Sequence, residues 1–317
     1  MTAAVRTHTL SAERVHYAWD NRLAPVLEVE PGDRLVVQTR DASDGYYSPA
    51  STAEDVRRKP APKGHPLSGP VFVRGARPGD VLEVAIEEVR TAPWGWTAVY
   101  PGRGLLPDDD FVTHHIRIWD LSDGRAARWG PEFAVPIEPF CGVMGVALDE
   151  PGEHSTLPPR RNGGNMDVKQ LRAGTTLYLP VLVPGALFSV GDAHAAQGDG
   201  EVCITAIETS ATVTLRLGLR RDFTLREPQL LLNGPLLGPT NAGPWYGTTA
   251  HGPDLLDATK RAVRYLIEYL VERRGFTPLD AYVLASVAAD LKISEVVDAP
   301  NWIVSAFLPL SIFERQA

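Results

Sequence analysis

Proline and glycine punctuate this chain throughout, with 27 and 28 copies spread over 317 residues rather than clustered. Proline removes a backbone donor and glycine weakens any regular element, so long helices are confined to the few stretches that lack both. Most of the chain is left to short strands joined by turns. Residues 26–41, VLEVEPGDRLVVQTRD, show the pattern: strand-like residues flank a Pro31-Gly32-Asp33 turn. An echo follows at residues 71–89, VFVRGARPGDVLEVAIEEV, around Pro78-Gly79-Asp80. There Leu82, Val84 and Ile86 alternate with Glu83, Ala85 and Glu87, the signature of a half-buried strand. Pro-Gly-Asp turns are common in β proteins, so the echo alone does not establish a duplication.

Between these segments, residues 44–70 are poor in apolar side chains and read as a surface loop. His65 lies in that loop and reaches a site only if the loop folds over one. Residues 108–119, DDDFVTHHIRIW, lead through His114 and His115 into a strand. Adjacent residues on a strand point to opposite faces, so at most one of the two serves a given pocket. The pattern changes after Tyr246. Residues 254–274 place Leu255, Ala258, Ala262, Leu266 and Tyr269 or Leu270 at helical spacing, with Gly275 as the stop. Thr277-Pro278 opens a second helix, expected to run through AYVLASVAADLKI, and residues 302–313 read as an apolar strand. The fold expected is mainly β: a β-sandwich (jelly-roll-like) body over residues 1–245, with a C-terminal α+β region, residues 246–317, packed on it.

A formal net charge of -8 argues against nucleic acid as the principal partner, because phosphate contacts need a basic surface. The two cysteines, Cys141 and Cys203, sit in apolar runs and read as buried inert thiols, not as a disulfide framework. The first twenty residues lack a long apolar core, and no apolar run is long enough to cross a bilayer. A cytoplasmic protein with no membrane partner is the expectation.

Chemistry concentrates in residues 161–208. Asp167, Asp192, His194, Asp199 and Glu201 stand there among glycines, alanines and β-branched residues, unlike a solvated charged face. On an extended segment Asp192 and His194 project to the same side. A carboxylate and an imidazole side by side form half of a metal site, or a base and its orienter. Asp199-Gly200 suits a hairpin turn, which would leave Glu201 about 13 Å along the strand from His194. Either residues 195–200 curl back as a loop, or Glu201 acts on the substrate and not on a metal ligand. Paired glycines at 163 and 164 let the backbone turn and aim N–H groups at a developing oxyanion. Asn165 offers its side chain to a small amide, and Asp167 offers a further metal oxygen.

NGGNMD (162–167) followed by LYLPVLVPGALFSVGDAHAAQGDGEV (177–202) resembles the acetamidase/formamidase family of amide hydrolases. The similarity extends over most of the chain, taking in HPLSGPVFVRGARPGDVLEVAIEEV, PFCGVMGVA (139–147) and LASVAADLKISEVVD (284–298). The resemblance implies a β-sandwich with α+β elements, hydrolysis of short-chain carboxamides to acid and ammonia, and a divalent metal, zinc ahead of calcium. It makes Asp167, Asp192 and His194 the metal candidates and Glu201 the acid/base, with His194 also counted as catalytic. Gly163, Gly164, Asn165 and Gln197 are the substrate-binding candidates.

Other amidase designs fit poorly. No glycine/serine-rich nucleophile loop is visible, and Cys203 has no lysine nearby. A non-catalytic β-sandwich holding a structural calcium is the rival from another class, although calcium calls for more oxygens and no imidazole. An amidase of the same fold acting on a larger amide is a third reading, with the loops at 44–70 and 233–253 making room. The apolar segment WIVSAFLPLSIF raises the expectation of a homo-oligomer, a dimer first, against burial within the chain.

Overall fold

The computed structural model describes residues 5–130, 133–237 and 243–313. Two β-sheets carry the body. The six-stranded sheet runs in the order Thr7–Leu10, Arg34–Thr39, Ala211–Arg220, Val81–Thr91, Thr175–Pro180, Gln229–Leu232. The eleven-stranded sheet includes Leu67–Val73, Trp94–Val99, Phe140–Gly145, Gly163–Asn165, Phe188–His194 and Glu208–Thr209. Leu35, Val37, Leu82, Val84, Leu177, Val213 and Leu215 of the first sheet share one core with Val71, Cys141, Met144, Phe188, Val190 and Ala193 of the second. The expected sandwich is therefore present: side chains from the facing sides of the two sheets close the space between them, with the alternation of Phe188–His194 shifted at Asp192.

The two Pro-Gly-Asp turns perform the same task. Leu27–Val29 pairs in parallel with Leu67–Val73 in the larger sheet, and each of these strands then passes through its turn into the smaller sheet, as Arg34–Thr39 and Val81–Thr91. Gly32 and Gly79 take φ of 97° and 94°, which only glycine adopts without strain. Asp33 and Asp80 each accept a backbone N–H from three residues earlier, Glu30 and Arg77. The sequence echo is a repeated sheet-to-sheet crossing.

Three α-helices stand among the described residues. Residues 44–70 are not all loop, since helix α1 (Ala53–Arg58) forms within them, its start tied by the Thr52 N–H donating to Asp55. Helix α2 (Leu255–Arg274) begins at Asp254, whose side chain caps the Asp257 N–H, and ends at Gly275 in the left-handed conformation. Helix α3 (Pro278–Ala288) stops earlier than its sequence suggests. Ala289 turns extended, and Asp290–Glu295 joins Trp302–Pro309 and Trp245–Gly252 in a three-stranded antiparallel sheet. Strand pairing there overrides the helix propensity of AADLKI. A second core unites α2 and α3 with Leu106, Trp119, Ala195, Val202 and Ile207 of the body. Ala306, Leu308 and Ile312 are buried in that same core, so the segment that suggested a dimer contact is mostly covered within the chain. No helix among the described residues is long and apolar enough to cross a membrane.

Candidate active site

Strand Phe188–His194 places the first pair. Ala193 enters the sandwich core, so Asp192 and His194 belong to the opposite, outer side of the sheet. Both are nearly inaccessible, at 4% and 1% exposure. The chain does not continue into a hairpin at Asp199-Gly200. Residues 195–207 curl back as a loop, closed at its base by Ala195 N–H donating to the Ile207 carbonyl and Ile207 N–H to the Ala196 carbonyl. Two consequences follow. Glu201 is folded back toward His194, and Glu208 emerges on the next strand directly opposite His194.

The result is a cluster of four carboxylates and two imidazoles. His194 Nε2 lies 3.2 Å from Glu208 Oε2 and 3.5 Å from Asp192 Oδ1. His65 Nε2 lies 3.7 Å from Asp192 Oδ2, its ring and backbone steadied by Thr156. Asp167, supplied by the segment after Gly163–Asn165, groups with His194 and Glu201, their ligating atoms all within 4.8 Å of one another. A second group of the same size consists of Asp192, His194 and Glu208. The trio inferred from sequence, Asp167, Asp192 and His194, is thus divided between two arrangements that share the imidazole. His114 lines the same cavity, whereas His115 turns away to Asp280, with its Nε2 3.2 Å from the carboxylate.

Close as they are, these groups do not satisfy one another. Asp192 Oδ1, His194 Nε2, Glu208 Oε2 and Asp167 Oδ1 are all buried without a hydrogen-bond partner. Polar atoms in that condition cost about 1–3 kcal/mol each, and their convergence is one that a bound cation would satisfy. An imidazole nitrogen with carboxylate oxygens is a donor set that could hold a divalent cation. Gln197 sharpens this. Its Nε2 donates to the Asp167 carbonyl at 2.8 Å, which turns its Oε1 to His194 Nδ1 at 2.9 Å. With Nδ1 donating to that oxygen, Nε2 is left to present a lone pair to the cluster.

The backbone is strained where these groups leave it. Asp167, Asp192 and Glu201 adopt φ of 49°, 55° and 42°, a region costing roughly 1–2 kcal/mol per side-chain-bearing residue. Gly142 lies on the strand paired with Phe188–His194, and a Cβ there would be 2.4 Å from Asp167 Oδ1. The space the carboxylates need exists because this residue has no side chain.

Burial and neighbouring charges compete over the protonation of the cluster. Burial pushes Asp167 up to about 6, against the opposing pull of His194. Glu201 is driven well above the ordinary glutamate range by burial and then by Asp167. Burial takes Glu208 up to about 7, with His194 restraining it. For Asp192 burial is outweighed by His65 and His194, which hold the carboxyl below its usual range. His194 is raised well above the ordinary imidazole despite burial, through Glu208 and Asp192. The thiols stay inert: burial pushes Cys203 up to about 11 and Cys141 to about 12.

Two sequence assignments change. The Gly163 N–H is not free for an oxyanion, since it donates to the Arg160 carbonyl at 3.0 Å, and neither Gly163 nor Gly164 lines the cavity. Their φ values of 90° and 84° show the need for glycine, and a Cβ on Gly163 would meet the Met144 carbonyl at 2.5 Å. Gln197 has both ends of its amide engaged within the protein, which makes it an orienter of His194 in place of a substrate contact. Asn165 remains open. Its Nδ2 donates to the Leu157 carbonyl, while Oδ1 is buried, unpartnered and on the cavity wall.

The cavity above the cluster holds about 400 Å³ and is walled by α1 and the segment after it, by Trp96 and Tyr100, and by the Glu201 loop. Against known proteins, the model of the Acetamidase/Formamidase family matches residues 4–154 and 151–315. The chain belongs to this family. This acetamidase/formamidase member is similar to the formamidase of Methylophilus methylotrophus, 28% identical with 95% of this chain and 90% of the relative covered. The acetamidase of Mycolicibacterium smegmatis is 27% identical, with 85% and 84% covered. Among solved structures, a gamma lactamase from Delftia acidovorans superposes with a TM-score of 0.88 at 28% identity, covering 95% of this chain and 90% of that one. An acetamidase from Bacillus halodurans gives 0.69 at the same 28% identity, covering 96% and 97%.

Proposed function

We propose that the protein hydrolyses a short-chain carboxamide to carboxylic acid and ammonia, with a divalent cation of the zinc type held by Asp192, His194 and Glu208. The observation carrying the metal assignment is that the three atoms these residues aim at one another, Oδ1, Nε2 and Oε2, are buried and unpartnered. When bound there, the cation supplies electrophilic assistance to water and to the amide carbonyl. Asp167 and Glu201 stand beside these three residues and on the cavity wall, facing the substrate. Glu201, as carboxylate, takes the proton of the attacking water and delivers it to the departing nitrogen, because an amide anion does not leave unprotonated. Asp167, crowded against it, keeps the acid form of Glu201 accessible at neutral pH. Asn165 Oδ1 is a ready acceptor for the substrate N–H₂, and His65 lines the same cavity with its Nδ1 turned to the Thr156 carbonyl.

Glu201→Gln preserves shape and removes the base. We expect ammonia release from formamide and acetamide to fall by about 10²–10⁴ with metal content unchanged. Near-normal turnover in that variant would exclude Glu201 as the acid/base, and loss of metal would make it a ligand.

A second reading concerns the shape of the amide. Formamide fills little of a cavity of about 400 Å³, a volume that accommodates larger ligands. The superposition on a gamma lactamase supports including cyclic amides among the substrates tested. Action in the cytoplasm as a homo-oligomer remains our working proposal, tested by sedimentation of the purified protein and by fractionation.

A further inference from the structure

The cavity is electrostatically two-ended. Its floor carries the four carboxylates Asp167, Asp192, Glu201 and Glu208, while its wall also carries Arg57, Lys59 and Arg103, of which Arg57 is paired with Glu54. Lys59 follows α1 as its C-terminal cap residue and is only partly exposed. Its ammonium sits 5.5 Å from the Tyr47 ring and 6.0 Å from the Trp96 ring. Trp96 in turn pairs directly with Glu208, so the lysine stands one aromatic side chain away from the floor cluster. No carboxylate forms an ion pair with Lys59 or Arg103 among the described residues. Asp41, the acid nearest in kind, is already committed to Ser43, Gly45 and the Trp96 indole. Burial accordingly holds the Lys59 ammonium below the ordinary lysine range, with Asp41 and Glu208 only partly restoring it.

An unpaired cation on a cavity wall, above a floor that repels anions, selects a ligand with a negative group at one end only. Resting on the amidase reading, we propose that Lys59, with Arg103 beside it, binds a carboxylate at the end of the substrate remote from the scissile amide. Monoamides of short dicarboxylic acids are then preferred over neutral amides of the same length. The floor carboxylates exclude the reverse orientation, so the carboxylate group also registers the amide over Glu201. The aromatic faces of Tyr47 and Trp96 hold the ammonium without neutralising it.

The test compares kcat/KM for ammonia release from succinamate with that from butyramide, and from glutaramate with valeramide, using the metal-loaded enzyme at low ionic strength. Each pair differs by a carboxylate in place of a methyl group. We expect the anionic member to be favoured about tenfold or more, as for a charge-assisted contact. The ratio should fall toward one in Lys59→Met, be partly kept in Lys59→Arg, and decline with added salt in the wild-type protein. A wild-type ratio near or below one, or a ratio that Lys59→Met leaves unchanged, overturns the proposal. So does hydrolysis of formamide and acetamide with none of the four longer amides. Failure on formamide, acetamide and all four together instead removes the amidase reading. Should Lys59→Met not fold, Lys59→Arg and the salt dependence decide the question.

Discussion

Replacing Gly142 by alanine isolates the space on which the site depends. The residue lies in the Phe140–Gly145 strand without a positive φ, so alanine imposes no backbone penalty. Its Cβ would stand 2.4 Å from Asp167 Oδ1, 2.9 Å from His194 Cε1 and 3.1 Å from Asp192 Oδ2. Ordinary carbon–oxygen contact needs about 3.4 Å, so the Asp167 carboxylate must retreat by roughly 1 Å. It has little room, being buried beside Glu201 and His194. Overpacking of this kind costs about 1–3 kcal/mol of stability. A displacement of about 1 Å at a reacting group costs about 10²-fold in rate. The expected result is a folded protein with modestly lower Tm and kcat/KM on acetamide reduced about a hundredfold. Gly218→Ala serves as the control, because that Cβ meets Glu83 no closer than 3.4 Å and should change neither quantity. Activity of Gly142→Ala within threefold of wild type, with metal content and Tm intact, would refute the assignment of this cluster as the reaction centre.

Two further outcomes follow from the contacts described. Gln197→Leu frees the His194 ring without touching the cavity and is expected to lower metal affinity about 10–100-fold, read by competition with a chelator. Asp280→Asn keeps one oxygen but removes the charge, and the second acceptor of the Arg117 fork, from the contact by which His115 and Arg117 tie α3 to strand His115–Asp120. Burial opposes ionisation of this carboxyl, but His115 and Arg117 win, and its pKa is lowered on folding. Its contribution is therefore present above the ordinary aspartate value and lost as pH falls through the lower folded value. The variant should be about 1–3 kcal/mol less stable than wild type at pH 7 in urea unfolding, the gap closing in acid.

Much of this arrangement can be read from residue pattern, and the exceptions have physical causes. Helix α2 is legible because its apolar stripe is bounded by a capping Asp254 and a left-handed Gly275. The end of α3 is not, since AADLKI favours a helix locally and is drawn into a strand by a partner distant in sequence. Asp192 and His194 are legible through the two-residue period of a strand. Glu201 is placed only once residues 195–207 close into a loop, and Glu208 only through the pairing that closure creates. No local signal separates Glu208 from any other strand-end glutamate. Gly142 escapes notice for a different reason: its contribution is a missing side chain, visible only when three others surround it. His65 required the loop over the cavity to be seen in place.

The Glu201 loop is fastened by α3 at several points. Gly198 N–H donates to the Ser286 carbonyl, Cys203 N–H to the Ser286 hydroxyl, and the Tyr282 hydroxyl to the Val202 carbonyl 80 positions earlier. Synthesis runs from the amino end, so the sandwich and most of the floor cluster are made before the helix that splints the Glu201 loop. A ribosome-bound chain stalled before α3 would carry Asp192 and His194 on a finished sheet, with the loop that bears Glu201 still unmoored. Competence for turnover thus arrives late in the life of the nascent chain, conferred by a segment that contributes no reacting group of its own.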